Sequence, residues 1–203
     1  MTFSSCLTDR NSILVLDASV IINLLATNYA SPILNAVPNS IVVTDNVVRE
    51  IDRGSANGRP EPTLLRELIH NKILNRLELS GIALEHFFDL VSGSAADSLG
   101  DGEAATLALA YSKGFTAAID EKKATKISSQ RFETLKIITT VDILAYEPVR
   151  ISLGDKALSE ATLHALKYAR MQVRDSQFSW IEKIIGCENA GLLPSLRRFA
   201  KLK

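Results

Sequence analysis

The chain has 203 residues, of which 46% are hydrophobic and 23% charged. That is enough apolar material for a full core, and it excludes a globally disordered chain. The 23 basic and 23 acidic side chains cancel, so there is no global pull on a polyanion, and a nucleic-acid partner would have to be held by a local basic patch.

Ile13-Leu14-Val15-Leu16 is a continuous apolar run ended by Asp17, the pattern of a strand buried on both faces. Residues 18–26 carry helical apolar spacing behind Asp17 and Ser19, both good helix starters. Residues 35–40, with Pro38, read as a loop. Ile41-Val42-Val43 reads as a second buried strand, after which Thr44 or Asp45 caps a helix over 47–52. Gly58, Pro60 and Pro62 mark residues 54–62 as turn-rich. A helix over 63–74 follows, with Leu64, Leu65, Leu68 and Ile69 on one face. A third strand is expected over 77–82 and an amphipathic helix over 84–91, then a small, polar loop or helix end over 92–100. Residues 102–113, rich in alanine and leucine, form a helix closed by Gly114. Thr116-Ala117-Ala118-Ile119 gives a fourth strand ending at Asp120. A helix over 123–132 leads to a fifth strand, Ile137-Ile138-Thr139-Thr140.

Strands alternating with helices predict a three-layer α/β/α sandwich around a parallel sheet of about five strands, with right-handed crossovers. This pattern occupies residues 1–150. From Gly154 onward it changes to helical stretches over 156–171 and 178–185 and a basic tail, so 151–203 reads as a C-terminal helical extension with no strand of its own. Cys6 and Cys187 form no Cys-x-x-Cys pair and suit reduced thiols. No apolar run approaches the roughly 20 residues that span a bilayer, and the polar residues 1–11 lack a signal-peptide core. The expectation is a soluble cytoplasmic protein without a membrane partner.

The acids stand in a telling pattern. Asp17 closes the first strand and Asp120 the fourth. Glu50 lies on the helix after the second strand, and Glu103 in the first turn of the helix before the fourth. The carboxyl ends of parallel strands share one edge, where ligands bind, so Asp17 and Asp120 are expected there together. Carboxylates that converge without lysine or arginine repel one another, and a divalent cation is the usual resolution. An all-oxygen set suits Mg²⁺ or Mn²⁺, and His70, His86 and His164 lie outside these motifs. Metal-assisted phosphodiester hydrolysis uses such a cluster. Each acid also has a plainer role open to it: Asp17 and Asp120 as helix caps, Glu50 as a solvated helix residue, Glu103 as a partner of its helix dipole.

Four segments carry a resemblance. They are Leu14-Val15-Leu16-Asp17-Ala18-Ser19-Val20-Ile21, Val43-Thr44-Asp45-Asn46-Val47-Val48-Arg49-Glu50-Ile51, Leu99-Gly100-Asp101-Gly102-Glu103-Ala104-Ala105-Thr106-Leu107-Ala108-Leu109-Ala110, and Ala118-Ile119-Asp120-Glu121-Lys122-Lys123-Ala124. In their order and spacing, over about residues 12–148, the chain resembles the PIN-domain nucleases, in their bacterial and archaeal toxin-type ribonuclease branch. The resemblance implies a PIN-like fold and an endoribonuclease that hydrolyses RNA with Mg²⁺ or Mn²⁺. It implies catalytic and metal-binding positions at Asp17, Glu50, Glu103 and Asp120, with Ser19 in a supporting hydrogen-bonding role. Its partners would be RNA as substrate, an antitoxin-like protein inhibitor if the chain is the toxin of a toxin–antitoxin pair, and a second copy in a homodimer. Glu103 stands where many members carry Asp. Asp101 is a rival for its role and Asp142 a candidate outer ligand, although surface or capping roles suit both better.

Two other readings stay open. One is a PIN-like module without turnover that binds RNA or a protein, motivated by the zero net charge and the unmatched C-terminal quarter. The other is a phosphatase with Asp17 as nucleophile, which Ser19 disfavours, because that chemistry wants a second aspartate there. Lys122, Lys123, Lys126, Arg131 and Lys136 after Asp120, and Arg49 and Arg53 beside Glu50, are candidates for phosphate contact, with solvated helix charge the commoner explanation. Arg197, Arg198, Lys201 and Lys203 make a short basic tail, while Phe178 and Trp180 suit core or interface packing.

Overall fold

The structure, a computed structural model, describes residues 7, 12–54, 58, 60–94, 97–196 and 199. Its centre is β1 (Ile13–Leu16), the apolar run before Asp17. β1 pairs in parallel with β2 (Ser40–Thr44) on one side and with β4 (Thr116–Ala118) on the other. β3 (Asn75–Leu77) lies outside β2 and β5 (Ile137–Ile138) outside β4, again in parallel. The order β3-β2-β1-β4-β5 is the five-stranded parallel sheet of an α/β/α sandwich, as the alternating pattern predicts.

Alternation along β1 explains the two cores. Leu14 and Leu16 face one layer, which holds α1 (Ala18–Ala26), α2 (Ala30–Ala36), α3 (Asp45–Arg53) and α4 (Glu61–His70). Val15 faces the other, which holds α5 (Ile82–Val91), α6 (Asp101–Lys113) and α7 (Lys122–Arg131). Successive strand residues point to opposite faces, so a run with no polar gap needs helices on both. The helix ends follow local chemistry: Thr44 Oγ1 accepts the Val47 N–H to start α3, and Gly114 takes the left-handed conformation (φ 65°) that ends α6.

Three expectations shift. Part of the expected loop over 35–40 belongs to α2, and the rest leads into β2. The third strand lies at Asn75–Leu77 rather than 77–82; it is an edge strand with exposed polar residues, and its sequence lacks an apolar run. The fifth strand stops at Ile138, because Thr139 caps a short α8 (Thr140–Leu144), accepting the Asp142 N–H while Asp142 accepts the Thr139 N–H.

The C-terminal part contains α9 (Glu147–Tyr168), interrupted at Gly154 (φ 76°, ψ 160°), α10 (Phe178–Ile185) and α11 (Cys187–Leu192). Leu158, Ala165, Leu166, Ile181 and Ile185 share one apolar cluster with Leu14, Leu16 and α1. Phe178 stacks on the buried Phe199 at 4.5 Å, and Trp180 packs against the same cluster. Cys187 is an exposed free thiol; Cys6 and the basic tail residues Arg197, Arg198, Lys201 and Lys203 lie outside the described residues. Among the described residues no helix is long and apolar enough to cross a membrane.

Candidate functional site

Chain leaving β1 goes on to β2 on one side, while β4 adds to the other side. The crevice above the carboxyl ends of β1 and β4 is therefore the switch point of the sheet, where ligands bind in open α/β folds. Asp17 follows β1 directly, and its backbone N–H donates to the Ala118 carbonyl of β4 (3.1 Å). Asp120 follows β4 by two residues. The two aspartates thus share one edge and one crevice.

Asp17 is only 2% exposed. Its Oδ2 accepts the Ser19 N–H (3.1 Å) and the Ser19 hydroxyl (2.6 Å), so Ser19 fixes the carboxylate while starting α1. Its Oδ1 is buried and has no hydrogen-bond partner among the described residues. A buried acceptor left unpaired costs about 1–3 kcal/mol, and more when charged. Burial pushes the Asp17 pKa up against the Ser19 hydrogen bonds, and the negative charge of Glu121 adds to the rise.

Two glutamates reach the same place from α3 and α6. Glu50 Oε2 and Asp17 Oδ1 both lie within 3.6 Å of the point where a Cβ on Gly102 would stand. A bare residue in the first turn of α6 is what lets Glu50 come this close. Burial raises the Glu50 pKa, helped by the charges of Asp17 and Asp101 and opposed by Arg53. Glu103 reaches back to accept the Gly100 N–H (3.2 Å). Burial, then the Asp17 charge, pushes its pKa up to about 7.

Asp120 is held differently. Its Oδ1 accepts the Thr140 N–H (2.9 Å), and its Oδ2 accepts Asn23 Nδ2 (2.7 Å) and the Thr140 hydroxyl. A carboxylate has about four lone-pair directions, and these three bonds leave about one. Burial raises the Asp120 pKa despite them, and Asp17 adds to the rise.

The crevice therefore gathers all four acids singled out in the sequence, with Ser19 in the supporting position expected of it. Several other participants carry no signal in the sequence. Asn23 and Thr140 fix Asp120 across 97 and 20 residues of chain, a separation no local pattern marks. Glu121 sits beside Asp120 and acts electrostatically on Asp17 and Glu103. Asp101 is exposed at the start of α6, and Asp142 caps α8. Lys123 donates to the Ser98 carbonyl and Arg131 to the Asp89 carbonyl, so both brace loops. Lys136 precedes β5, at the opposite edge of the sheet. His86 packs edge-on to Tyr111 and Phe132, and His164 to Tyr168.

Among the described residues, no three His, Cys, Asp or Glu side chains stand close enough to ligate an ion as they are. The chemistry of the set nevertheless fits a hard divalent cation. It offers only oxygen donors, it contains an orphaned buried carboxylate oxygen, and all four pKa values are raised by crowding and burial. Glu50 and Glu103 carry their carboxylates on rotatable stems, which lets them close on an ion.

A family model described as a PIN domain matches residues 13–176. No curated protein and no solved structure matches the chain.

Proposed function

The chain belongs to the PIN-domain family, a nuclease-type fold whose members generally use divalent metals, and from that premise we propose that it is a Mg²⁺- or Mn²⁺-dependent endoribonuclease. The observation that carries the proposal is the unpartnered, buried Asp17 Oδ1, turned toward Glu50 at the carboxyl edge of the sheet. Among the described residues nothing hydrogen-bonds to that oxygen, and a bound cation would compensate it.

Asp17 Oδ1, Glu50 and Glu103 would hold the ion. Ser19 keeps Asp17 in one rotamer so that Oδ1 stays aimed. Asp120, pinned by Asn23 and Thr140, contributes fixed negative charge and its one remaining acceptor direction. When bound, the ion supplies an activated water and offsets charge developing on the phosphodiester oxygens. A toxin role, restrained by an antitoxin-like protein, and a homodimeric state belong to the same proposal and would show as co-purifying partners.

One observation favours a second reading, a PIN-like module that binds without turnover: Asp120 already spends three of its acceptor positions, and the acids form no ready-made shell. Cleavage of RNA with Mn²⁺, compared between the wild type and Asp17→Asn, decides. Loss in the variant supports the nuclease; equal activity removes Asp17 from the chemistry. No Mn²⁺ binding by calorimetry at millimolar ion, with RNA binding retained, supports the module.

A further inference from the structure

The net charge is zero, so a polyanionic substrate needs a local foothold. A cleft of about 370 Å³ beside the acid crevice is lined by Lys122, Thr125, Lys126 and Ser129 of α7 and by Arg174 and Asp175. Three of these six side chains are cationic and one is acidic. Lys122 and Lys126 are exposed and engage no acid among the described residues.

The last two lining residues come from the C-terminal part of the chain. The segment 171–177 returns to the sheet edge and is fastened there. Gln177 Nε2 donates to Thr139 Oγ1 (2.7 Å), Arg174 donates to Thr125 Oγ1 (3.2 Å), and Gln172 donates to Glu121 (3.3 Å). Gln177 is buried, so this strap is set in place rather than lying loose. Its fastening sets Arg174 against Thr125 of α7, in one cleft with Lys122 and Lys126, and α7 begins two residues after Asp120.

A second cleft, of about 440 Å³, lies on the α3 side, where Arg49 and Arg53 are balanced by Glu50 and Asp101. Because α3 follows β2 and α7 follows β4, the two clefts flank the β1 crevice on opposite sides. The α7 cleft, with three cations to one acid, is therefore the one with a net positive lining.

We propose that the strap residue Arg174, with Lys122 and Lys126, forms a phosphate-binding shelf that holds the backbone of single-stranded RNA on the β4 side of the crevice. The inference rests on the nuclease reading for its choice of ligand. Such grooves track the backbone without reading bases, so binding on the shelf is indifferent to sequence and sensitive to salt.

The test is fluorescence anisotropy of a labelled single-stranded RNA oligonucleotide, in EDTA to prevent cleavage, across a salt series. Lys122→Ala/Lys126→Ala weakens binding about tenfold and lowers the salt slope by roughly 1.4, at about 0.7 per phosphate contact on a single strand. Arg174→Gln weakens it likewise. Asp175→Asn tightens it, an effect that a damaged fold does not imitate, and calorimetric Mn²⁺ affinity stays unchanged in the lysine variant. Unchanged affinity and slope in the lysine variant, or no RNA binding by the wild type, overturns the shelf. RNA binding that depends on the shelf, without any cleavage, sinks the nuclease and leaves the shelf standing. Cleavage by a wild type whose lysine variant binds equally well does the reverse.

Discussion

Glu50 and Gly102 share one volume: the Glu50 carboxylate occupies the space in which any side chain at position 102 would have to stand. The closeness of α3 to α6 at the crevice is therefore written in a missing Cβ. It brings the Glu50 carboxylate toward Asp17, whose charge adds to the rise in the Glu50 pKa that burial causes.

Gly102→Ala is accordingly expected to separate stability from function. Alanine favours a helix over glycine by up to about 1 kcal/mol, and the atom in its way is the end of a flexible side chain, so the fold should survive with a melting temperature near that of the wild type. Glu50 would have to leave the crevice. Mn²⁺ affinity should then fall on the order of tenfold, the equivalent of about 1.4 kcal/mol, and RNA cleavage should fall with it. Calorimetry and a thermal melt on the same sample check both halves.

Thr140→Val tests how Asp120 is kept charged. The substitution preserves shape and the backbone N–H but deletes the hydroxyl that donates to Oδ2. Hydrogen bonds to charged groups contribute about 1.5–3 kcal/mol, so a loss of that order is expected at pH 7.5. At acid pH, where Asp120 takes up a proton, the loss should shrink. Urea unfolding of both proteins across a pH series, followed down to the point at which the fold itself fails, gives the comparison; a loss that stays constant over the whole series would mean that the hydroxyl serves packing and not charge.

The metal-free protein should lose stability as pH rises. Glu103 titrates near 7 when folded, against an ordinary 4.5, so the folded state holds its proton more tightly. The resulting stabilisation is complete below about pH 4.5 and disappears as pH rises through about 7. Asp17, Glu50 and Asp120 are shifted the same way and reinforce the trend. Melting temperatures in EDTA from pH 5 to pH 8 should therefore decline, and Glu103→Gln should flatten the decline. Added Mn²⁺ should raise the melting temperature more at pH 8 than at pH 5, because the ion competes with the protons.

Much of this arrangement is legible in the sequence, for identifiable reasons. β1, β2 and β4 sit between helices, so burial on both faces forces continuous apolar runs that end visibly at Asp17, Thr44 and Asp120. Gly114 announces the end of α6 because its left-handed backbone suits little else. β3 escapes a sequence reading because an edge strand tolerates polar residues, and Asn75-Arg76-Leu77 looks like loop. α8 is hidden in the sequence because Thr139 and Thr140 have good strand propensity, and the Thr139–Asp142 cap that overrides it spans only three residues. The four acids were visible because strand ends and helix starts can be counted. Asn23, Thr140 and Arg174 were not, since each acts on a partner brought to it only by the folded chain.

The C-terminal region supplies the last prediction. Residues 151–203 read as an extension, yet Leu158, Ala165 and Leu166 of α9 and Ile181 and Ile185 of α10 lie in the same cluster as the strand residues Leu14 and Leu16. Burying one leucine or isoleucine fully contributes about 1.5–3 kcal/mol. The four leucines and isoleucines among these five together contribute about 6–12 kcal/mol, comparable with the 5–15 kcal/mol that holds a typical domain together. A chain ended at residue 150 should therefore lack cooperative unfolding by circular dichroism and should elute as aggregate. Gln177→Ala is the gentler probe, since it unfastens the strap from Thr139 and leaves the apolar cluster intact. It should leave a cooperative melt while weakening RNA binding as Arg174→Gln does. A fully folded 1–150 fragment that binds RNA like the whole chain would show that core and crevice are both complete without the C-terminal part.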